Sequence, residues 1–161
     1  MRSRSFLTFA FTIVMGIFAL ATQAEEAKAT TSNVQLVHIP GRPDCFLGAT
    51  EQGDPGKGAS IMKMKGRSGC TVPWHWHPAT ENVMMVSGNV RVEVKDQKPV
   101  LLNAGSFVSV PSKHVMRFAC VRECTLFVYT DGPFAIHYVD DAGNEILRTE
   151  ALKHRWVRPV V

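Results

Sequence analysis

Short apolar runs separated by turn-forming residues dominate the chain from Val34 onward. Within Val90–Lys95, valines alternate with charged residues, a period of two that predicts a half-buried β-strand. Similar runs predict further strands, which are Val83–Val86, Val100–Leu102, Phe107–Val110, Val115–Ala119, Thr125–Tyr129 and Phe134–Val139. Many short strands at close spacing are typical of an antiparallel sandwich or barrel, so the predicted fold class is all-β.

The rest of this region contains little that predicts helix. Glu51–Gly58 is rich in Gly and holds an Asp-Pro pair, which predicts a loop. Glu145–Lys153 is predicted to be either a last strand or a helical turn. Because the sequence has no internal repeat and no low-complexity tract, we expect residues 34–161 to form a single domain.

The first 24 residues have the layout of a secretory signal peptide. Arg2 and Arg4 precede the uncharged run Phe6–Ala21, and small residues follow it. The alternative is a membrane anchor, but such a helix usually needs about 20 apolar residues. We therefore expect cleavage near Ala24, a flexible tether over residues 25–33, and a periplasmic or secreted protein that is not held at the membrane.

Composition and charge narrow the classes of partner. Of 161 residues, 45% are hydrophobic, which excludes a wholly disordered chain. The formal net charge of +4 includes Arg2 and Arg4 of the expected signal peptide; without them, 16 basic and 14 acidic residues leave +2. So small an excess does not predict a nucleic-acid partner.

Two histidines and a glutamate form the main candidate site. His75 and His77 are two residues apart, so on a strand both imidazoles lie on the same face. Glu81 follows after a bend, and His114 can arrive from a strand paired later in the sheet. Imidazole suits zinc, copper, iron and nickel, and a carboxylate extends the choice toward iron and manganese. The alternative is a polar strand face without a metal.

The residues around these ligands resemble the first motif of the cupin superfamily. That motif is Gly, five residues, His-x-His, three or four residues, Glu, six residues and Gly. Here it runs from Gly69 to Gly88, with His75, His77 and Glu81 at the motif positions. All five fixed positions fit.

The second cupin motif is matched only in part. Gly105 and Pro111 have the expected spacing, but His114 comes three residues after the proline instead of five. Lys113 stands where the motif has Gly, and Phe118 stands where it has Asn. The two-residue shortening preserves strand parity, so we expect His114 to face the same side as the other ligands.

The resemblance implies a single antiparallel cupin β-barrel, or jelly roll, with core motifs over residues 69–88 and 105–118. It implies one divalent transition metal, which is iron, manganese, nickel, copper or zinc, held by His75, His77, Glu81 and His114. If His114 points inward, then Met116, Phe118 and Cys120 share its face, where they line either a small-molecule pocket or the barrel core.

Four cysteines in an exported chain favour disulfides over free thiols. Cys120 and Cys124 flank a three-residue turn and could face each other across a hairpin end, which leaves Cys45 to pair with Cys70. The alternative is that Cys120 is an inward thiol beside the metal. A site of four cysteines is disfavoured because no C-x-x-C pair is present.

Two function classes follow from these residues. The first is a small-molecule metalloenzyme with dioxygenase-like or related cupin chemistry. The second is a non-catalytic cupin that binds a small ligand or zinc, or senses it. In both, the expected partner is a small molecule, and a homodimer is plausible because many cupins pair through sheet edges.

Overall fold

The computed structural model describes residue 29 and residues 34–153. The expected signal peptide, nearly all of the expected tether, and residues 154–161 lie outside this part of the chain. Within the described residues, no helix has the length and apolar character needed to cross a membrane.

Residues 34–153 form a nearly all-β structure. The strands are β1 (Val37–His38), β2 (Phe46–Gly53), β3 (Ser60–Gly66), β4 (Thr71–Trp76), β5 (Glu81–Ser87), β6 (Asn89–Val94), β7 (Val100–Asn103), β8 (Phe107–Val110), β9 (Met116–Cys120), β10 (Cys124–Thr130) and β11 (His137–Tyr138), followed by one helical turn, α1 (Arg148–Ala151). The all-β prediction is confirmed.

All strand pairings in the described region are antiparallel, and they build two sheets. One has the order β1-β2-β3-β10-β5-β8, and the other has the order β11-β4-β9-β6-β7. β4 and β5 follow each other in sequence but lie in different sheets. Residues 77–80 therefore cross from one sheet to the other.

Two predicted elements differ from the structure, and the structure has the helical turn of the two alternatives for Glu145–Lys153. Residues 51–53 of the predicted loop continue β2, where they extend its pairing with β3. Within Phe134–Val139, only His137 and Tyr138 form a strand, because Phe134 bonds instead to a turn, its N–H donating to Pro55 O. The predicted last element contains the helical turn α1.

The core fills the space between the two sheets. Burial alternates along β3 and β9, so every second side chain points inward. Phe46 of one sheet packs against Phe118 of the other, with ring centroids 5.8 Å apart. Four methionines are buried in this core, which are Met62, Met64, Met85 and Met116.

The segment between β1 and β2 is tied to the barrel at three points. Cys45 is disulfide-bonded to Cys70, with the Cα atoms 5.6 Å apart. The Tyr138 hydroxyl donates a hydrogen bond to Gly41 O at 2.9 Å, and Arg148 Nη2 donates one to Arg42 O at 3.1 Å. These ties fix the backbone on both sides of the Arg42 side chain.

Candidate metal centre

The structure brings His75, His77 and Glu81 together from the two sheets. His75 lies in β4, His77 directly follows that strand, and Glu81 is the first residue of β5. All three are buried, and their possible ligand atoms lie within 4.8 Å of one another. The crossing between them is held by a hydrogen bond from Thr80 N–H to Asp131 Oδ1 at 2.9 Å.

Backbone carbonyls orient both imidazoles. His75 Nδ1 lies 2.6 Å from Pro73 O, and His77 Nδ1 lies 2.5 Å from Ala135 O. A carbonyl oxygen can only accept, so each Nδ1 carries the proton and donates it. Each Nε2 therefore keeps a free lone pair, the form in which a histidine binds a metal.

Burial keeps both imidazoles neutral. Burial, together with a smaller effect of the neighbouring His77, lowers the pKa of His75 from 6.5 to about 3. It also lowers the pKa of His77 to about 3, with a further contribution from the positive charge of Arg42. Neither ring therefore needs to lose a proton before it binds a cation at neutral pH.

Two atoms of the cluster face each other with no hydrogen atom between them. His77 Nε2 lies 3.3 Å from Glu81 Oε2, and this buried nitrogen has no hydrogen-bond partner. Because His77 is neutral with its proton on Nδ1, the two facing atoms both carry lone pairs and form neither a hydrogen bond nor an ion pair. A cation between them would satisfy both atoms, and the donor set of two imidazoles and a carboxylate fits a first-row transition metal.

Arg42 is a residue of this site that sequence reasoning did not identify. Its Nη2 donates to Glu81 Oε1 at 3.1 Å, and both side chains are at least 95% buried. Its guanidinium carbon lies 4.8 Å from the centroid of the Phe134 ring, which also stacks on His77. A single arginine 39 residues before its partner carries no local sequence signal.

His114, the expected fourth ligand, lies outside the cluster. Its side chain is exposed, and its Nδ1 donates to Ser112 O at 3.2 Å. The prediction that His114 faces the other ligands assumed the alternation of a β-strand. It was wrong because His114 precedes β9 and lies in a turn, where side chains do not alternate. In that turn Lys113 has a left-handed φ of 63° and its N–H donates to His77 O at 2.8 Å.

Met116, Phe118 and Cys120 all point into the barrel, but only Met116 lies beside the cluster. Met116 is paired with His75 across β9 and β4, whereas Phe118 is paired with Val72, farther along the strand. Cys120 is disulfide-bonded to Cys124, with the Cα atoms 5.9 Å apart. The alternative of a free Cys120 thiol beside the metal is therefore wrong.

Comparisons with known proteins agree with this architecture. Residues 62–130 match the family described as the cupin domain. Among curated proteins, no sequence matches the chain significantly. Residues 62–130 therefore form a cupin domain, and the fold around them is that of cupins.

Solved structures with the same fold have diverse activities. An RmlC-like cupin from Ralstonia eutropha is 20% identical with a TM-score of 0.57, over 75% of this chain and 78% of that one. The DMSP lyase DddQ from Ruegeria pomeroyi is 22% identical with a TM-score of 0.55, over 60% of this chain. The match spans 52%, about half, of the lyase. A mutant salicylate 1,2-dioxygenase from Pseudoaminobacter salicylatoxidans in complex with gentisate is 15% identical with a TM-score of 0.50, over 55% of this chain and 26% of that one. At these identities the likeness concerns the fold.

Proposed function

We propose that this protein is an exported, metal-binding cupin that acts as a small-molecule metalloenzyme, with dioxygenase-like or related cupin chemistry. The observation that carries the proposal is the buried pair His77 Nε2 and Glu81 Oε2, which face each other at 3.3 Å without a shared proton. Structural relatives that act as a lyase and as a dioxygenase support an enzymatic role for this fold.

The chain's own residues have separable roles in this proposal. His75 and His77 provide Nε2 donors, and the carbonyls of Pro73 and Ala135 keep those nitrogens aimed at the cluster. Glu81 provides a carboxylate oxygen, and Arg42 fixes the other oxygen of the same carboxylate. A transition metal bound here would supply an electrophilic centre with positions left for a small ligand.

The competing function is a non-catalytic cupin that holds zinc or a small ligand. Zinc bound by a closed set of four ligands is structural, whereas an open position permits chemistry. Exposure of His114 leaves three of the four expected ligands in the described cluster, which favours an open position over a closed site.

Metal analysis of purified variants tests the site. We expect His77→Ala to lose most of the bound metal, while His137→Ala, which changes a histidine outside the cluster, keeps it. Equal metal content in both variants and the wild type would refute the site. Oxygen uptake with small acids or phenols would support the enzyme, and tightly held zinc without an exchangeable water would support the binding protein.

Export is a separate part of the proposal. The two disulfides are compatible with an oxidising, extracellular location. Protein recovered from the periplasm or the medium should have an intact mass that lacks about the first 24 residues, as expected for a cleaved signal peptide. Full-length protein retained in the membrane fraction would contradict export by this route.

A further inference from the structure

Met116 faces the metal cluster from a third strand. It is the register partner of His75, and both residues are only 1% exposed. Residues paired across antiparallel strands have Cβ atoms about 4.5–5.5 Å apart and point to the same side of the sheet. The thioether of Met116 and the imidazole of His75 therefore project together into the interior.

The interior next to the cluster is rich in sulfur. In the other sheet Glu81 is paired with Thr130, and one step deeper Val128 is paired with Met62. Thus Met116 lies level with His75, and Met62 lies level with Val83, one layer deeper than Glu81 and two strands away from it. Thioether sulfur is a soft donor that prefers Cu(I), whereas hard cations such as Mn²⁺ prefer oxygen.

The charge balance of the cluster also favours an ion of low charge. The one carboxylate of the cluster, Glu81, already forms an ion pair with Arg42 at 3.1 Å, so it offers little further negative charge to a bound ion. The cost of burying an ion rises with the square of its charge in the Born description, so an uncompensated dication is far more costly than a monovalent ion.

We propose that Met116 is a metal ligand and that the site selects copper as Cu(I), bound by Nε2 of His75, Nε2 of His77 and Sδ of Met116. In this arrangement Glu81 Oε2 stays beside the ion as a weaker fourth donor, while Arg42 holds Oε1 of the same carboxylate. The inference rests on the metal site of the proposed function and narrows its metal to copper in the reduced state.

Competition titrations of the full, disulfide-bonded chain test this assignment. The metal-free protein is titrated with Cu(I) under anaerobic conditions, with ascorbate and a chromophoric Cu(I) chelator, and separately with Zn(II) against a zinc chelator. Met116→Leu conserves volume, and Met64→Leu is the matched control because Met64 is buried deeper in the same core. We expect Met116→Leu to lower Cu(I) affinity by about tenfold or more with Zn(II) affinity within about twofold, and Met64→Leu to change neither.

X-ray absorption of the Cu(I)-loaded wild type gives a test that does not depend on any variant. We expect one sulfur scatterer beside two nitrogen scatterers, and absence of sulfur overturns the proposal. Unchanged Cu(I) affinity in Met116→Leu also overturns it. If His77→Ala nevertheless loses affinity, the metal site of the proposed function stands and only the role of Met116 is refuted. If His77→Ala changes the affinity for neither metal, the proposed function fails together with this inference.

Discussion

Arg42 Nη2 and Glu81 Oε1 form a buried ion pair at 3.1 Å that joins the segment before β2 to the first residue of β5. The pair lies inside the candidate metal site, because the other oxygen of Glu81 faces His77. Arg42 is held by backbone ties on both sides, so its charge is placed by the fold and not by a bound ion. The cluster therefore has a permanent cation even before metal binds.

We expect Arg42→Met to destabilise the metal-free protein by about 3–5 kcal/mol, because Glu81 would remain buried without its counter-charge. Adding Zn²⁺ should raise the melting temperature more in this variant than in the wild type, since the dication replaces the missing positive charge. Chemical denaturation of metal-free protein and thermal melting with and without zinc measure the two effects.

The control for that substitution is Arg91→Met. Arg91 contacts Glu93 at 2.9 Å, but its side chain is 42% exposed. Glu93 is only 12% exposed, but it keeps its ion pair with Arg117, and a pair with an exposed partner contributes about 0–1 kcal/mol, so this variant should remain close to the wild type. A similar cost for both variants would show that burial of the Arg42 pair has no special energetic role.

Acid should destabilise the metal-free protein over a pH range that is set by the pKa values of the two buried histidines. Their folded-state pKa values, about 3, lie below the usual value of 6.5, so the unfolded chain binds more protons between these limits. Stability is complete above about pH 6.5 and falls as the pH decreases toward 3, by about 1.4 kcal/mol per pH unit for each histidine. Denaturant midpoints measured from pH 7 to pH 4 report this loss.

His77→Gln should reduce that pH dependence by about one proton. His137→Gln is the matched control because His137 stacks on Trp76, outside the cluster, with ring centroids 4.0 Å apart. The interpretation fails if His77→Gln and the control lose stability with acid equally steeply.

The two disulfides should differ in their contribution to stability. Cys45–Cys70 closes a separation of 25 residues, and Cys120–Cys124 closes a separation of 4. Chain-entropy arguments assign about 3.5 kcal/mol to the first and about 1.9 kcal/mol to the second. Paired Cys→Ser variants, compared by denaturant titration, give this order, and the reverse order would show that native packing outweighs loop closure.

The motif glycines Gly69 and Gly88 should respond differently to alanine. Both have left-handed φ values, 76° and 79°. A Cβ on Gly69 would meet no atom within 4 Å, whereas one on Gly88 would lie 2.0 Å from Glu123 O. We expect Gly69→Ala to cost about 1 kcal/mol through backbone strain alone, and Gly88→Ala to cost about 3 kcal/mol or more. Equal melting temperatures for the two variants would contradict this reasoning.

Local spacing predicted the histidine pair and the glutamate because one short segment, residues 75–81, carries all three. It failed for His114, since the left-handed turn at Lys113 decides that orientation and strand parity applies only inside a strand. Met116, the further ligand that we propose, stands five residues after Pro111, where the second motif places its histidine.

Alternation of polar and apolar residues identifies strands in the same way, but it does not identify contacts between distant segments. The alternation of Val90–Lys95 identified β6 because one side of that strand is polar. The same rule applied to β3, where methionine and lysine alternate over Met62–Lys65, would have identified that strand too. Arg42 lies beyond such rules, because its contact depends on the path of a long segment and not on nearby residues.

The division of donors between strands has a consequence for the choice of metal. His75, His77 and Glu81 are encoded within seven consecutive residues, and the residue opposite His75 comes from β9, more than thirty positions later. A substitution at position 116 would replace the proposed sulfur donor without altering the seven-residue segment. Under the proposal that Met116 is a ligand, the choice of metal would therefore depend on a position separate from the three donors of the short segment.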